Sequence, residues 1–159
     1  MEGVRKVRMV DVSAKPETVR IARARGCIEL RRETIERIER GGVEKGDVLT
    51  VSSVVAMNAV KSLPSLLPFC HPLRIDHIDV EFFIDGNRLC VEVEVRTRER
   101  TGAEMEALYG VLAALLNVWD MVKKYEKDET GNYPSTRITD VVVLRKVKLD
   151  AERSQGGTS

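Results

Sequence analysis

Asp120 and Lys123 stand three residues apart near the end of a segment patterned as a long helix. That spacing puts them on one helical face, within reach of each other. In most helices such a pair is an ordinary surface ion pair. Where a substrate brings phosphates against it, the same pair becomes a proton-transfer couple. Lys45-Gly46-Asp47 sets a second lysine just ahead of a helix start, where free backbone N–H groups favour an anion. A plain glycine turn with an exposed lysine fits those residues equally well.

Pro68-Phe69-Cys70-His71-Pro72 holds a thiol and an imidazole between two prolines that stiffen the backbone, as a rigid site loop requires. Two adjacent ligands without a second cluster do not make a zinc or copper centre, so no metal is expected. In Thr101-Gly-Ala-Glu104-Met105-Glu106, threonine and Glu104 have the spacing of a capping box. Residues two apart on a helix diverge, so one pocket takes at most one of Glu104 and Glu106 unless the first turn is irregular. For Glu106 a solvated face is the usual fate of the residue type. Lys15, Arg20 and Lys61 are further cations that spacing alone leaves unassigned, and His77 reads as a solvent-facing or structurally bonded imidazole.

These residues need elements to hold them. Ile78, Val80, Phe82 and Ile84 alternate with polar neighbours up to the turn Asp85-Gly86-Asn87, and Leu89, Val91, Val93 and Val95 alternate on the return, which predicts a β-hairpin with one polar face. The stretch 18–30 leans to a strand, although arginines at 20, 23 and 25 fit neither period. The spacing predicts a short helix over 32–40 stopped by Gly41-Gly42, a helix over 48–62 capped by Asp47 and ending before Pro64, and a long helix from the capping box to about Lys124. A strand over 138–147 follows. Helices on one face of an antiparallel sheet give an α+β domain, and the order hairpin, long helix, last strand suits a ferredoxin-like arrangement.

The chain has 159 residues, which favours one domain, taken as 1–150, with a mobile polar tail over 151–159. Its 26 Lys and Arg against 25 Asp and Glu leave a net charge of +1, without the bulk basic field of most nucleic-acid binders. Aromatics at 4% and an acidic outer hairpin face argue against base stacking on the sheet. The apolar run 107–119 is interrupted and falls short of a membrane span, and no secretory h-region opens the chain, so cytoplasmic residence without membrane or nucleic-acid partners is expected. Cys27, Cys70 and Cys90 form an odd set without Cys-x-x-Cys spacing, and the expectation is three reduced thiols.

Met9-Val-Asp-Val-Ser-Ala-Lys15, Lys45-Gly-Asp47, Pro68-Phe-Cys-His-Pro-Leu73, Thr101-Gly-Ala-Glu-Met-Glu-Ala-Leu108 and Trp119-Asp-Met-Val-Lys123, in that order, resemble the MoaC family, the cyclic pyranopterin monophosphate synthases of molybdenum cofactor biosynthesis. The resemblance spans roughly residues 9–147. It implies a ferredoxin-like domain assembled as a homohexamer, a trimer of dimers, with each site at a subunit boundary. It also implies a lyase without a cofactor, which converts a cyclised dihydro-GTP into cyclic pyranopterin monophosphate and releases diphosphate. By the same resemblance Lys45, Asp120 and Lys123 are catalytic. Phe69, Cys70, His71, Met105, Glu106 and Glu104 contact the substrate, and Lys15, Arg20 and Lys61 suit its triphosphate. A non-catalytic nucleotide-binding relative is the alternative, but such a relative is expected to have lost a proton-transfer group, and all three are present. Members commonly end in Lys-x-Gly-Gly-Lys-Ser-Gly; here Leu144-Arg145-Lys146-Val147-Lys148 stands instead, and Arg145, Lys146 or Lys148 is the expected substitute.

Overall fold

The computed structural model describes residues 5–149. Four strands form one antiparallel sheet: β1 (Thr18–Glu29), β2 (Ile75–Asp85), β3 (Arg88–Glu99) and β4 (Arg137–Leu149). They lie in the order β2-β3-β1-β4. Three helices complete the described residues, α1 (Arg32–Glu39), α2 (Val48–Leu66) and α3 (Glu104–Glu126). This is the expected ferredoxin-like α+β layering, with the first crossover made by two helices in succession. The tail over 151–159 lies outside the described residues.

Alternation in the strands decides which side the helices cover. Ala22, Ala24 and Ile28 of β1 and Leu89, Val91, Val93 and Val95 of β3 are buried against Ala107, Val111, Ala114, Leu115, Val118 and Val122 of α3. The α3 residues recur at the spacing of one helical face. Gly26 faces the same way, and a Cβ there would lie 2.7 Å from Val111 Cγ1, so glycine is what lets the helix approach the strand. Arg23 and Arg25 occupy the opposite face, where Arg23 meets Glu81, Glu92 and Glu94. Arg20, at the strand's start, donates instead to the Glu99 and Arg100 carbonyls. The arginine pattern that obscured the period therefore combines one sheet face with one strand end.

Four expectations are corrected. Cys27 and Cys90 are joined as a disulfide, because the β1–β3 register sets them directly opposite at a Cα separation of 4.0 Å; Cys70 is the free thiol. α2 runs through Pro64 to Leu66. Ser62 Oγ and Ser65 Oγ donate to the Ala59 and Ser62 carbonyls around the missing N–H, and buried Leu63 anchors the turn. The capping box does not form: α3 starts at Glu104, behind Ala103, and Lys146 engages the Glu104 carboxylate. Finally, α3 at 23 residues is long and apolar enough to cross a membrane by length and composition, contrary to the reading of the apolar run. Half of its most apolar stretch is buried inside the fold, as befits a core helix.

Candidate functional site at the two ends of helix α3

The last turns of α3 carry Asp120 and Lys123, and the loop between α1 and α2 carries Lys45. Gly46 in that loop has φ 117°, a conformation other residues rarely adopt, and the following residue, Asp47, caps α2 by accepting from the Thr50 N–H at 3.1 Å. Lys45 thereby points back at α3. Its ammonium donates to the Asp120 carbonyl at 3.0 Å and lies 3.4 Å from Asp120 Oδ2. Lys123 donates to Asp120 Oδ1 at 2.9 Å. One carboxylate thus bridges two ammonium groups, in a cleft of about 400 Å³ also lined by Glu44, Met121, Lys124 and Tyr125.

The bridge fixes the charges. Hydrogen bonding and charge from Lys123, then charge from Lys45, hold the Asp120 carboxyl below its ordinary value. The Asp120 bond and charge raise Lys123 above its own. The cleft therefore presents ammonium hydrogen-bond donors that attract polyanions.

At the opposite end of α3, Phe69, Cys70, His71, Glu104 and Met105 line a second cleft of about 400 Å³ with Leu67, Pro68, Thr101 and Gly102. Phe69 is exposed there. Glu106 lies beneath: it is 2% exposed, accepts from Cys70 Sγ at 3.5 Å, and its Oε2 has no partner. Burial pushes the Glu106 carboxyl up. Burial first, and the Glu106 charge second, push the Cys70 thiol up to about 11. His71 Nε2 sits 2.7 Å from the Val10 carbonyl, so that nitrogen carries the proton. Glu104 and Glu106 do diverge, one towards the cleft and one under it, while both bear on Cys70.

Arg20 lines an adjoining cleft of about 300 Å³ with Lys146 and Lys148, and Gly102 borders both clefts. Arg145 is not part of it, because it pairs with Glu94 on the outer sheet face. Lys61 and Glu106 line a small cavity of about 60 Å³ under α2. Lys15 stays apart from these clefts, in an exposed turn closed by its N–H on the Val12 carbonyl. Among the described residues no group of three or more His, Cys, Asp or Glu could hold a metal ion.

Sequence reasoning passed over Lys124, Tyr125 and Glu44, which build the cleft around Lys45. No spacing signal marks them, because their contacts join residues about 80 positions apart.

The MoaC family model matches residues 9–148. The chain belongs to the MoaC family. Relatives from Methanococcoides burtonii and Aeropyrum pernix are each 54% identical to it over 140 residues, 88% of this chain, and the matches cover 88% and 96% of those relatives. A relative from Methanosarcina mazei is 52% identical over 143 residues, 90% of this chain and 91% of its own length. All three are named probable cyclic pyranopterin monophosphate synthase. The MoaC match ends at residue 148, so it takes in Lys146 and Lys148 of the basic cleft.

Proposed function

We propose that this chain is a cyclic pyranopterin monophosphate synthase, a lyase of molybdenum cofactor biosynthesis. It converts (8S)-3',8-cyclo-7,8-dihydroguanosine 5'-triphosphate to cyclic pyranopterin monophosphate and releases diphosphate. One observation carries the reading: Asp120 bridges Lys45 and Lys123 in a single open cleft. The reaction opens and rebuilds a ring while a sugar hydroxyl attacks the α-phosphate, so it needs proton donors beside polyphosphate. Two ammonium groups sharing one carboxylate meet that need, since phosphate oxygens compete with the carboxylate for the same N–H bonds.

The second cleft takes the less charged part of the substrate. The thiol that lines it resists ionisation, held up by burial and then by the buried Glu106 beneath, and offers a neutral hydrogen bond, while Arg20, Lys146 and Lys148 next door suit phosphate. Glu104 and Asp120 are separated along α3 by about 24 Å at ~1.5 Å per residue. That is beyond the reach of one nucleotide. That length supports a site completed by a neighbouring copy, and the homohexamer, a trimer of dimers, is what the likeness to the MoaC family implies. The enzyme works in the cytoplasm as a single domain over 1–150, without metal or cofactor.

The test is incubation of the purified protein with the cyclised dihydro-GTP while following diphosphate release and, after oxidation, pterin fluorescence. Stoichiometric release supports the synthase. Binding without release supports the non-catalytic relative.

A further inference from the structure

We infer that Tyr125 is a positioning residue for Lys45: its hydroxyl oxygen holds the loop that carries the lysine and so sets where the second ammonium of the acid–amine group lies. The inference rests on the synthase reading above and deepens it.

Lys45 sits in a loop with left-handed glycines on both sides, Gly41 at φ 72° and Gly46 at φ 117°. Buried Val43, whose carbonyl accepts from the Gly46 N–H at 3.1 Å, and the Asp47 cap fix the turn around the lysine, and the glycines leave its flanks free. The exposed ion pair of Lys45 with Asp120 is too weak to place it, and the exposed pair of Lys124 with Glu44 engages a side chain and not the backbone.

The backbone is held elsewhere. The Glu44 N–H, one residue before Lys45, donates to Tyr125 Oη at 3.0 Å. The Arg37 guanidinium lies over the Tyr125 ring, 4.3 Å from its centroid. Arg37 also donates to the Gly42 carbonyl at 3.1 Å, and the Gly42 N–H donates to the Arg37 carbonyl at 2.8 Å. Arg37 and Tyr125 therefore grip both the start of the loop and the residue next to the lysine. Tyr125 stands two positions after Lys123 on α3, so both lysines are referenced to the same stretch of one helix. A small displacement of the loop moves an ammonium off Asp120, and misplacement of about 1 Å costs up to about 100-fold in rate.

Tyr125→Phe keeps the ring and its arginine and removes only the accepting oxygen. The expected result is a kcat about 10-fold lower, with KM within about twofold of the wild type and an unchanged thermal midpoint. In a Lys45→Ala background, followed by single-turnover measurement, the same substitution is expected to change nothing further, because its effect runs through the lysine. Wild-type kcat in Tyr125→Phe overturns the inference, and so does an equal loss with Lys45 already absent. A wild-type protein that releases no diphosphate contradicts the synthase reading instead, so the two failures are distinguishable.

Discussion

The two ends of helix α3 reach opposite electrostatic solutions from similar ingredients. At the C-terminal end, carboxylate and amines are exposed and mutually neutralising, so the Asp120 carboxyl and the Lys123 amine are held in their charged forms. At the N-terminal end, the Glu106 carboxyl and the Cys70 thiol are pressed under the chain without an ion-pair partner, so burial pushes each towards its neutral form. The helix dipole favours both a negative N-terminus and a positive C-terminus. Burial overrides it at Glu106, whereas at Lys123 the Asp120 bond and charge outweigh a smaller desolvation effect. One helix thereby supplies a polyanion-binding end with ammonium hydrogen-bond donors and an end where burial disfavours ionisation.

Removing the charged end gives the largest expected loss. Lys45→Ala, Asp120→Ala and Lys123→Ala each fold and lose at least about 100-fold in turnover, the scale of a lost proton-transfer group, read by diphosphate release. Full turnover by any one of them removes that residue from the comparison. Next comes the anchor of the same end. Glu126 is fully buried and accepts from the Arg31 N–H, Thr34 Oγ1 and Thr136 Oγ1. Glu126→Ala orphans all three donors and is expected to cost about 3 kcal/mol in urea unfolding.

The buried end gives smaller effects of a different kind. With a thiol at about 11, Cys70 is expected to alkylate slowly at pH 8 and faster in Glu106→Gln, because a neighbouring negative charge has gone. Iodoacetamide kinetics followed by mass spectrometry check this, and equal rates would mean that the Glu106 charge does not reach Cys70. Smallest is the pH dependence of stability. The Glu106 carboxyl is raised in the fold, so the protonated form is favoured there. Its contribution is complete below the ordinary carboxylate value and declines as pH rises through the raised one. Glu106→Gln is expected to flatten that decline, with urea unfolding at pH 4 and pH 7 as the measurement.

Much of this was legible in the chain. Period-two alternation marked the hairpin, the Thr101 to Glu104 spacing marked the start of α3 even though its cap did not form, and the i, i+3 pair of Asp120 with Lys123 forecast a contact that formed. The remainder depends on register and tertiary reach. Cys27 opposite Cys90 follows from strand pairing that no local pattern encodes, and the burial of Glu106 depends on a loop some 36 residues away folding over it. Lys146 draws off Glu104 from a strand far along the chain, which is why a sound capping-box spacing failed. Tyr125 left no trace at all, since a lone tyrosine near a helix end looks the same whether or not a loop docks on it.

The central claim is that the two ends of α3 from different copies make one site, and subunit mixing tests it most directly. Asp120→Ala and His71→Ala, each inactive alone, are co-expressed, and diphosphate release by the mixed oligomers is measured. Sites shared between copies predict recovery of roughly a quarter of wild-type activity, from interfaces that pair two intact halves. Activity no higher than that of either variant alone would contradict the account.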